Sequence, residues 1–220
     1  MSQTLVEGAL STVPVVGGPM AVMWVALAGR AYDKRRETWE ADITTAVNDL
    51  LERMDDLDES DLANNDQFLD ALAYATSAAI TTAHQEKLAA LRNAVLNAAA
   101  GTNLDTDTQA IFLRHVRDFT PSHLRLLKLL DDPKRWFSQH GIAWPDNIMM
   151  GGLGTDVVEV GLPELAGQRV LYDQLHADLS YAGLTNTGGL HTMMSGNGLA
   201  ARRTSDRGRE FLAFITDPRG

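Results

Sequence analysis

Apolar side chains recur every three or four positions along most of this chain, which is the spacing of one face of an α-helix. The clearest case is RAYDKRRETWEADITTAVNDLLERMDDL, where charged residues fill the positions between the apolar ones. The apolar members of this stripe are Trp39, Ile43, Val47, Leu50, Leu51, Met54 and Leu57. The pattern predicts a long helix with one buried face, which begins after Gly18 with Pro19 at its first position.

The same spacing predicts five more helices before residue 150. Their starts carry cap residues or proline, and Gly101 and Gly141 are typical terminators. Thr82 and Gln85 have the spacing of a capping box. The predicted helices begin near Asn64, near His84, at Thr106, at Thr120-Pro121 and at Pro133. Strand patterns are absent from this region, and the short connections predict an antiparallel helical bundle.

The pattern changes after the glycine-rich stretch MMGGLG. We predict one helix over Pro163–Gly183, a β-hairpin turning at Gly196–Gly198 between the strands LHTMM and LAARR, and a last helix capped by Ser205. This order of elements is the outline of a winged-helix half. The predicted fold class is therefore mainly α: a helical bundle over residues 1–148, a Gly-rich link over 149–155, and a winged-helix-like α/β module over 156–220.

A module of about 65 residues buries a thin core by itself. Its two helices each keep an apolar face, so we expect the module to dock on the bundle or on a partner chain. We expect the aromatic residues just before the link to form the apolar docking surface for the module, because aromatic side chains bury large areas. These residues are Trp136, Phe137 and Trp144.

The stretch VPVVGGPMAVMWVALAG, residues 13–29, contains no charged side chain. A secretory signal is not expected, because no Lys or Arg precedes it and Glu7 lies there instead. Residues 8–29 have nominal membrane-spanning length, but Pro14, Gly17, Gly18 and Pro19 break the helix. The part after Pro19 is apolar on every side, so it must be enclosed by its own core, by a second copy or by lipid.

Two sets of residues are therefore the candidate contact sites. The apolar candidates for self-association or membrane contact are Val15, Val16, Met20, Met23, Trp24 and Leu27. The basic cluster that follows consists of Arg30, Lys34, Arg35 and Arg36, and at a membrane it would hold the protein on the cytoplasmic side. The expected partners are a second copy, another protein or a membrane surface. The expected location is the cytoplasm, either free or held at the inner face of the membrane.

Composition limits the remaining function classes. The formal net charge of −10 argues against a large nucleic-acid footprint, which needs an excess of Lys and Arg. Arg202 and Arg203, which fall on the predicted wing, keep a nucleic-acid-binding regulator as the alternative function. The chain has no cysteine, so disulfides and thiolate chemistry are excluded.

No motif identifies a reaction. The acidic run from Asp55 to Asp61 departs from a calcium loop at the glycine and at the bidentate position. The six histidines lack ligand spacing, and Ser195 lacks the glycine that opens a nucleophile elbow. The sequence therefore identifies no catalytic residue, metal site, cofactor or small-molecule substrate, and an enzyme whose site assembles from scattered helices is the last-ranked alternative. Arg92, Asn93 and Asn97 are predicted to lie on an exposed helix face, with burial of Arg92 and Asn93 in a polar network as the alternative.

Four segments together carry a resemblance to a known family: VPVVGGP before a helix with a basic end, EKLAALRNAVLNA, TPSHLRLLKLLDDP and TSDRGREFLAFI. In this order they resemble small bacterial helical proteins of the abortive-infection alpha type, which are associated with phage defence. The resemblance spans most of the chain. It implies a cytoplasmic effector or interaction protein rather than a metabolic enzyme, and it implies no catalytic residues.

Overall fold

The computed structural model describes residues 19–55, 57–101, 104–145 and 151–218, with the side chains of the first helix described from Gly29 onward. Within these ranges the protein is mainly α-helical, with eleven helices and one small antiparallel sheet of two strands. The helices are α1 Pro19–Leu51, α2 Glu59–Ala63, α3 Asp66–Thr81, α4 Gln85–Ala99, α5 Thr106–Asp118, α6 Pro121–Asp131, α7 Pro133–Gln139, α8 Gly154–Gly161, α9 Arg169–Tyr181, α10 Gly196–Ala200 and α11 Asp206–Phe214. The strands are β1 Gly152–Leu153 and β2 Met193–Met194.

Local capping explains where several helices begin. The side chains of Asn65, Asp105 and Ser205 each accept a hydrogen bond from a backbone N–H in the first turn that follows. Helices α6 and α7 have proline in their first turn, as the sequence predicts. The capping box predicted at Thr82 is wrong, because α4 has His84 as its N-cap, without a side-chain hydrogen bond.

The bundle forms where α3 packs against α4, α1 and α5. The second half of α1 supplies the predicted stripe, with Trp39, Ile43 and Leu50 buried. The indole N–H of Trp39 donates to Oγ1 of Thr76 on α3 at 3.0 Å, so this polar group is satisfied inside the core.

The region after β1 departs from the prediction of one helix over Pro163–Gly183. The chain instead makes a 3-10 turn at Pro163–Leu165, and α9 begins only at Arg169. Gly167 lies between them at φ +72°, a conformation that favours glycine and stops a right-handed helix. The apolar spacing of this segment predicts Val170 on the buried face of that helix, but Val170 is 87% exposed.

The predicted hairpin that turns at Gly196–Gly198 is wrong as well. Residues 196–200 form α10, whose N-cap Ser195 accepts a hydrogen bond from the N–H of Gly198. Strand β2 pairs with β1, so its partner comes from before α8 and α9. A separate antiparallel bridge joins Thr185 to Thr204. The glycine-containing segment forms a short helix because the Ser195 cap satisfies one of its first N–H groups locally.

The residues after β1 dock on the bundle, as predicted. The indole N–H of Trp136 donates to the carbonyl of Gly161 at 2.8 Å. A Cβ at Gly161 would lie 2.9 Å from Cε2 of Phe137, so glycine permits this close approach. Two residues of the predicted aromatic docking surface pack together, since the ring centroids of Phe137 and Trp144 are 5.0 Å apart. A single apolar core therefore extends on both sides of the predicted link.

The last helix is held by two asparagines that were predicted to be exposed. The amide of Asn97 donates to the carbonyls of Phe214 at 2.9 Å and Thr216 at 2.7 Å, while that of Asn93 donates to the carbonyl of Ile215 at 3.0 Å. These bonds satisfy carbonyls at the end of α11. The prediction of an exposed face is therefore wrong for both residues.

Candidate functional site

Residues 29–38 of α1 lie outside the core, although the helix is continuous from Pro19 to Leu51. Every residue from 29 to 38 is exposed, and Trp39 is the first buried residue in the part of α1 whose side chains are described. Ten consecutive exposed positions cover all faces of a helix, because 3.6 residues complete one turn. We name residues 19–38 the α1 arm.

The α1 arm carries the predicted basic cluster, and Arg30, Lys34, Arg35 and Arg36 are all exposed. Nη1 of Arg35 donates to the carbonyl of Ile80 at 3.3 Å, near the end of α3. Among the residues that the structure describes, none of these four forms a salt bridge. The cluster therefore presents unneutralised positive charge on an acidic protein.

A groove of about 680 Å³ lies beside the α1 arm, where α1, the end of α3 and the start of α4 meet. Most of the residues that line it have small or apolar side chains. The lining consists of Ala31, Lys34, Arg35, Thr38, Trp39, Asp42, Ala79, Thr82, Ala83, Gln85, Leu88, Ala89 and Arg92. We name this space the arm groove. Lys34 and Arg35 of the basic cluster line the arm groove together with the core residue Trp39, whereas Arg30 and Arg36 do not line it.

An ion pair crosses the arm groove between α4 and α1. Nη1 of Arg92 lies 3.1 Å from both carboxylate oxygens of Asp42. Nε of Arg92 is buried and has no hydrogen-bond partner. The groove therefore has three cationic side chains and one acidic one, although the whole chain has a net charge of −10. The prediction that Arg92 lies on an open helix face is wrong.

The apolar candidates lie mostly beyond what the structure describes. Val15 and Val16 are outside the described residues. Met20, Met23, Trp24 and Leu27 belong to α1, but their side chains are outside the described part. Among the described residues, no helix has both the length and the apolarity needed to cross a bilayer.

Arg202 and Arg203 do not lie on a wing, which corrects the prediction. Nε of Arg202 lies 3.0 Å from a carboxylate oxygen of Asp131. Arg203 is only 4% exposed, and its Nη2 donates to the carbonyls of Gly198 and Leu199 at the end of α10. Burial lowers the pKa of Arg203. Arg202 is exposed but paired with Asp131, and Arg203 is buried, so neither offers the free, exposed guanidinium of a phosphate contact.

A second cleft, of about 940 Å³, lies between α4, α6 and α7. Its central cation, Arg125, is bound by two acids. Nε donates to Glu86 at 2.8 Å, and Nη1 donates to Glu164 at 2.9 Å. These bonds raise the pKa of Arg125. Because both acids already neutralise it, this cation is not available to an anionic ligand.

The most enzyme-like group of side chains joins α6 to α9. In His123, Nδ1 accepts the backbone N–H of Thr120 at 3.1 Å, and Nε2 lies 3.2 Å from a carboxylate oxygen of Asp178. The backbone donor fixes the tautomer, with the proton on Nε2 toward Asp178. Burial lowers the pKa of His123, and the bond to Asp178 opposes this change. Both ring nitrogens are engaged, so the group works as a helix cap and a cross-link.

In the described ranges, no three His, Asp or Glu side chains are grouped to hold a metal ion. Sequence reasoning missed the arm groove because it depends on the angle between helices. One signal was present: small residues occur near the end of one helix and the start of the next, at Ala79, Ala83 and Ala89. Small side chains leave space where helices meet.

Comparisons with protein-family models, with curated proteins and with solved structures give no significant match.

Proposed function

We propose that this protein is a non-enzymatic interaction protein that self-associates through the α1 arm. The observation that carries the proposal is the exposure of residues 29–38 in a helix whose second half packs one face into the core. An isolated helix shorter than about 12–15 residues is marginal in water. A partner surface would supply further contacts to these exposed residues.

The composition of the α1 arm favours a second copy as that partner. Residues 20–28 have the sequence MAVMWVALA and contain no charged side chain. Such a segment gains free energy when its apolar surface leaves water. Two arms that pack together would bury these segments against each other, with the basic cluster at the edge of the contact.

Light scattering coupled to gel filtration tests the proposal on the full chain. We expect a mass of at least two copies, and we expect Trp24→Glu to give a monomer, because a charge inside an apolar contact is costly. Met193→Glu is the matched control, since it places the same charge on an exposed apolar position of β2. A monomeric wild-type chain would contradict the proposal, as would equal losses of mass in both variants.

The exposed basic cluster favours a second candidate, contact with an anionic membrane surface from the cytoplasmic side. Basic residues near such a surface contribute about 1 kcal/mol each. Flotation with vesicles of anionic phospholipid measures this contact. Binding that depends on anionic lipid and falls on Arg30→Gln with Arg36→Gln supports it, whereas binding to neutral vesicles alone would contradict it.

We also propose that the region from β1 to α11 is a diverged winged-helix-like module. Helices α8 and α9 follow one another across a short turn, and the Thr185–Thr204 bridge closes the segment after α9. The outer face of α9 carries Val170 and Tyr181, which are 87% and 92% exposed. Exposed apolar side chains favour a protein contact over nucleic acid at this helix.

A role as an effector in bacterial phage defence follows only from the resemblance described above, and it stays a prediction. Phage challenge of cells that carry the wild-type or the Trp24→Glu chain tests it. Protection that is lost with self-association would support the role. No protection by the wild-type chain would contradict it.

A further inference from the structure

The arm groove has the properties of a ligand site as well as those of a helix junction. Its volume of about 680 Å³ lies inside the usual range for small-molecule sites, roughly 300–1,000 Å³. The floor is apolar, with buried Trp39 beside half-buried Leu88 and Ala89. Apolar walls with a few polar groups at one end are typical of sites for amphiphilic molecules.

The two ends of the arm groove differ in charge. At the outer end, Lys34 and Arg35 are exposed and form no ion pair within the described part of the chain. At the inner end, Arg92 and Asp42 neutralise each other at 3.1 Å. An elongated ligand would therefore find positive charge at the outer end and apolar walls beyond it.

The start of α4 adds to the positive potential of the outer end. Its N-cap His84 makes no side-chain hydrogen bond, so the first N–H groups of a 15-residue helix have no side-chain acceptor there. Gln85, the first residue of α4, lines the groove. The N-terminus of a helix attracts anions. At the end of α3, Arg35 already binds the Ile80 carbonyl and so offsets the opposing negative potential.

We infer that the arm groove binds a single-chain anionic amphiphile of the long-chain fatty acid class. The carboxylate would pair with Lys34 and Arg35, and the acyl chain would lie along Trp39, Leu88 and Ala89. The charge decides between occupants. The uncharged segment 20–28 of a second copy would bring no negative charge to the two cations, whereas a fatty acid places one carboxylate between them. This inference does not depend on self-association.

Titration of the full chain with oleate, below its micelle concentration, tests the inference by calorimetry. We expect saturable binding of one oleate per chain. Oleyl alcohol has the same chain length without the charge, and we expect it to bind at least about tenfold more weakly. Absence of saturable oleate binding to the wild-type chain would overturn the inference.

Two pairs of substitutions separate oleate binding in the arm groove from nonspecific electrostatic attraction to the basic cluster. Lys34→Gln with Arg35→Gln removes the charges that line the groove, and we expect oleate affinity to fall about tenfold or more. Arg30→Gln with Arg36→Gln removes the same charge from the same arm but outside the groove, and affinity should be unchanged. Equal losses in the two pairs would overturn the site.

Ala83→Trp fills the arm groove from an exposed position and should abolish oleate binding. Its far-ultraviolet circular dichroism and melting temperature establish that it folds. Unchanged oleate binding by a folded Ala83→Trp chain would overturn the inference. A second outcome would also overturn the inference: Ala83→Trp loses oligomer mass and the wild-type chain binds no oleate. The occupant of the groove would then be a second copy of the chain. Oleate binding is also measured on Trp24→Glu, which is expected to be monomeric. Binding by that variant would mean that the oleate site does not require self-association.

Discussion

The two halves of α1 share one continuous helix but differ in what surrounds them. From Trp39 to Leu50 the helix places a stripe of side chains into the core, and polar residues such as Thr44, Thr45 and Asn48 are exposed. From 29 to 38 every side chain is exposed. The second half is stabilised by burial inside this chain, whereas residues 29–38 are exposed and are joined to α3 by the hydrogen bond from Arg35 to the Ile80 carbonyl. Continuity of a helix therefore does not imply that it has one source of stability.

The largest difference between the halves should appear when an aromatic side chain is removed from each. Trp39→Ala deletes a buried indole and its bond to Thr76, and we expect a loss of about 3–5 kcal/mol in the free energy of unfolding. Tyr32→Ala, in the exposed half, should change it by less than about 0.5 kcal/mol. Urea denaturation of both variants measures the contrast. Similar losses would show that the two halves are equally packed.

A second test compares the stability contributions of two asparagines on helices, one that bonds to another helix and one that is exposed. Asn97→Ala removes the donor to the carbonyls of Phe214 and Thr216, and we expect a loss of about 1–2 kcal/mol. Asn48→Ala, on the exposed side of α1, is the matched control and should be nearly neutral. If the two substitutions cost the same, the bonds from Asn97 do not hold the end of α11.

Acid should weaken the bundle through three histidines that lie outside α1. Burial is the main cause that lowers the pKa of His115, His123 and His176. Because the folded pKa lies below the unfolded value of about 6.5, the unfolded chain binds more protons in this range. Stability is therefore fully present above about pH 6.5 and is lost as the pH falls toward the folded values. Urea midpoints from pH 8 to pH 5 measure this, and His176→Gln should flatten the profile.

The smallest effect is expected at the boundary between the two halves of α1. Asp42→Ala breaks a partly exposed ion pair with Arg92, and such pairs contribute less than about 1 kcal/mol. Denaturation at low and high salt should show the difference shrink as salt screens the pair. A loss comparable to that of Trp39→Ala would mean that the arm groove, and not the core, anchors this part of α1.

The helices were predictable where their causes are local. The stripe from Trp39, the cap at Ser205 and the proline at position 121 each act within a few residues, and each is found as expected. The hairpin at Gly196–Gly198 was not predictable in the same way. Strand pairing depends on distant partners, and the partner of β2 is β1, which lies before α8 and α9.

The candidate site was predictable only in part. The basic cluster and the apolar segment before it are visible as sequence patterns, and the structure describes the exposure of the former. The arm groove depends on how three helices cross, which is a tertiary property. The role of Asn97 was hidden for the same reason, since its acceptors are more than a hundred positions away. Residues whose partners are distant in sequence carry no periodic signal.

The packing of Phe112 against Phe211, with ring centroids 5.3 Å apart, has a consequence during synthesis. The two residues are separated by most of the second half of the chain, which takes a ribosome roughly 5–20 seconds at about 5–20 residues per second. During that interval the ring of Phe112 has no native partner in α11, while the α1 arm has already emerged. The self-association proposed for the α1 arm could then begin between neighbouring nascent chains on one messenger RNA, before either core is complete.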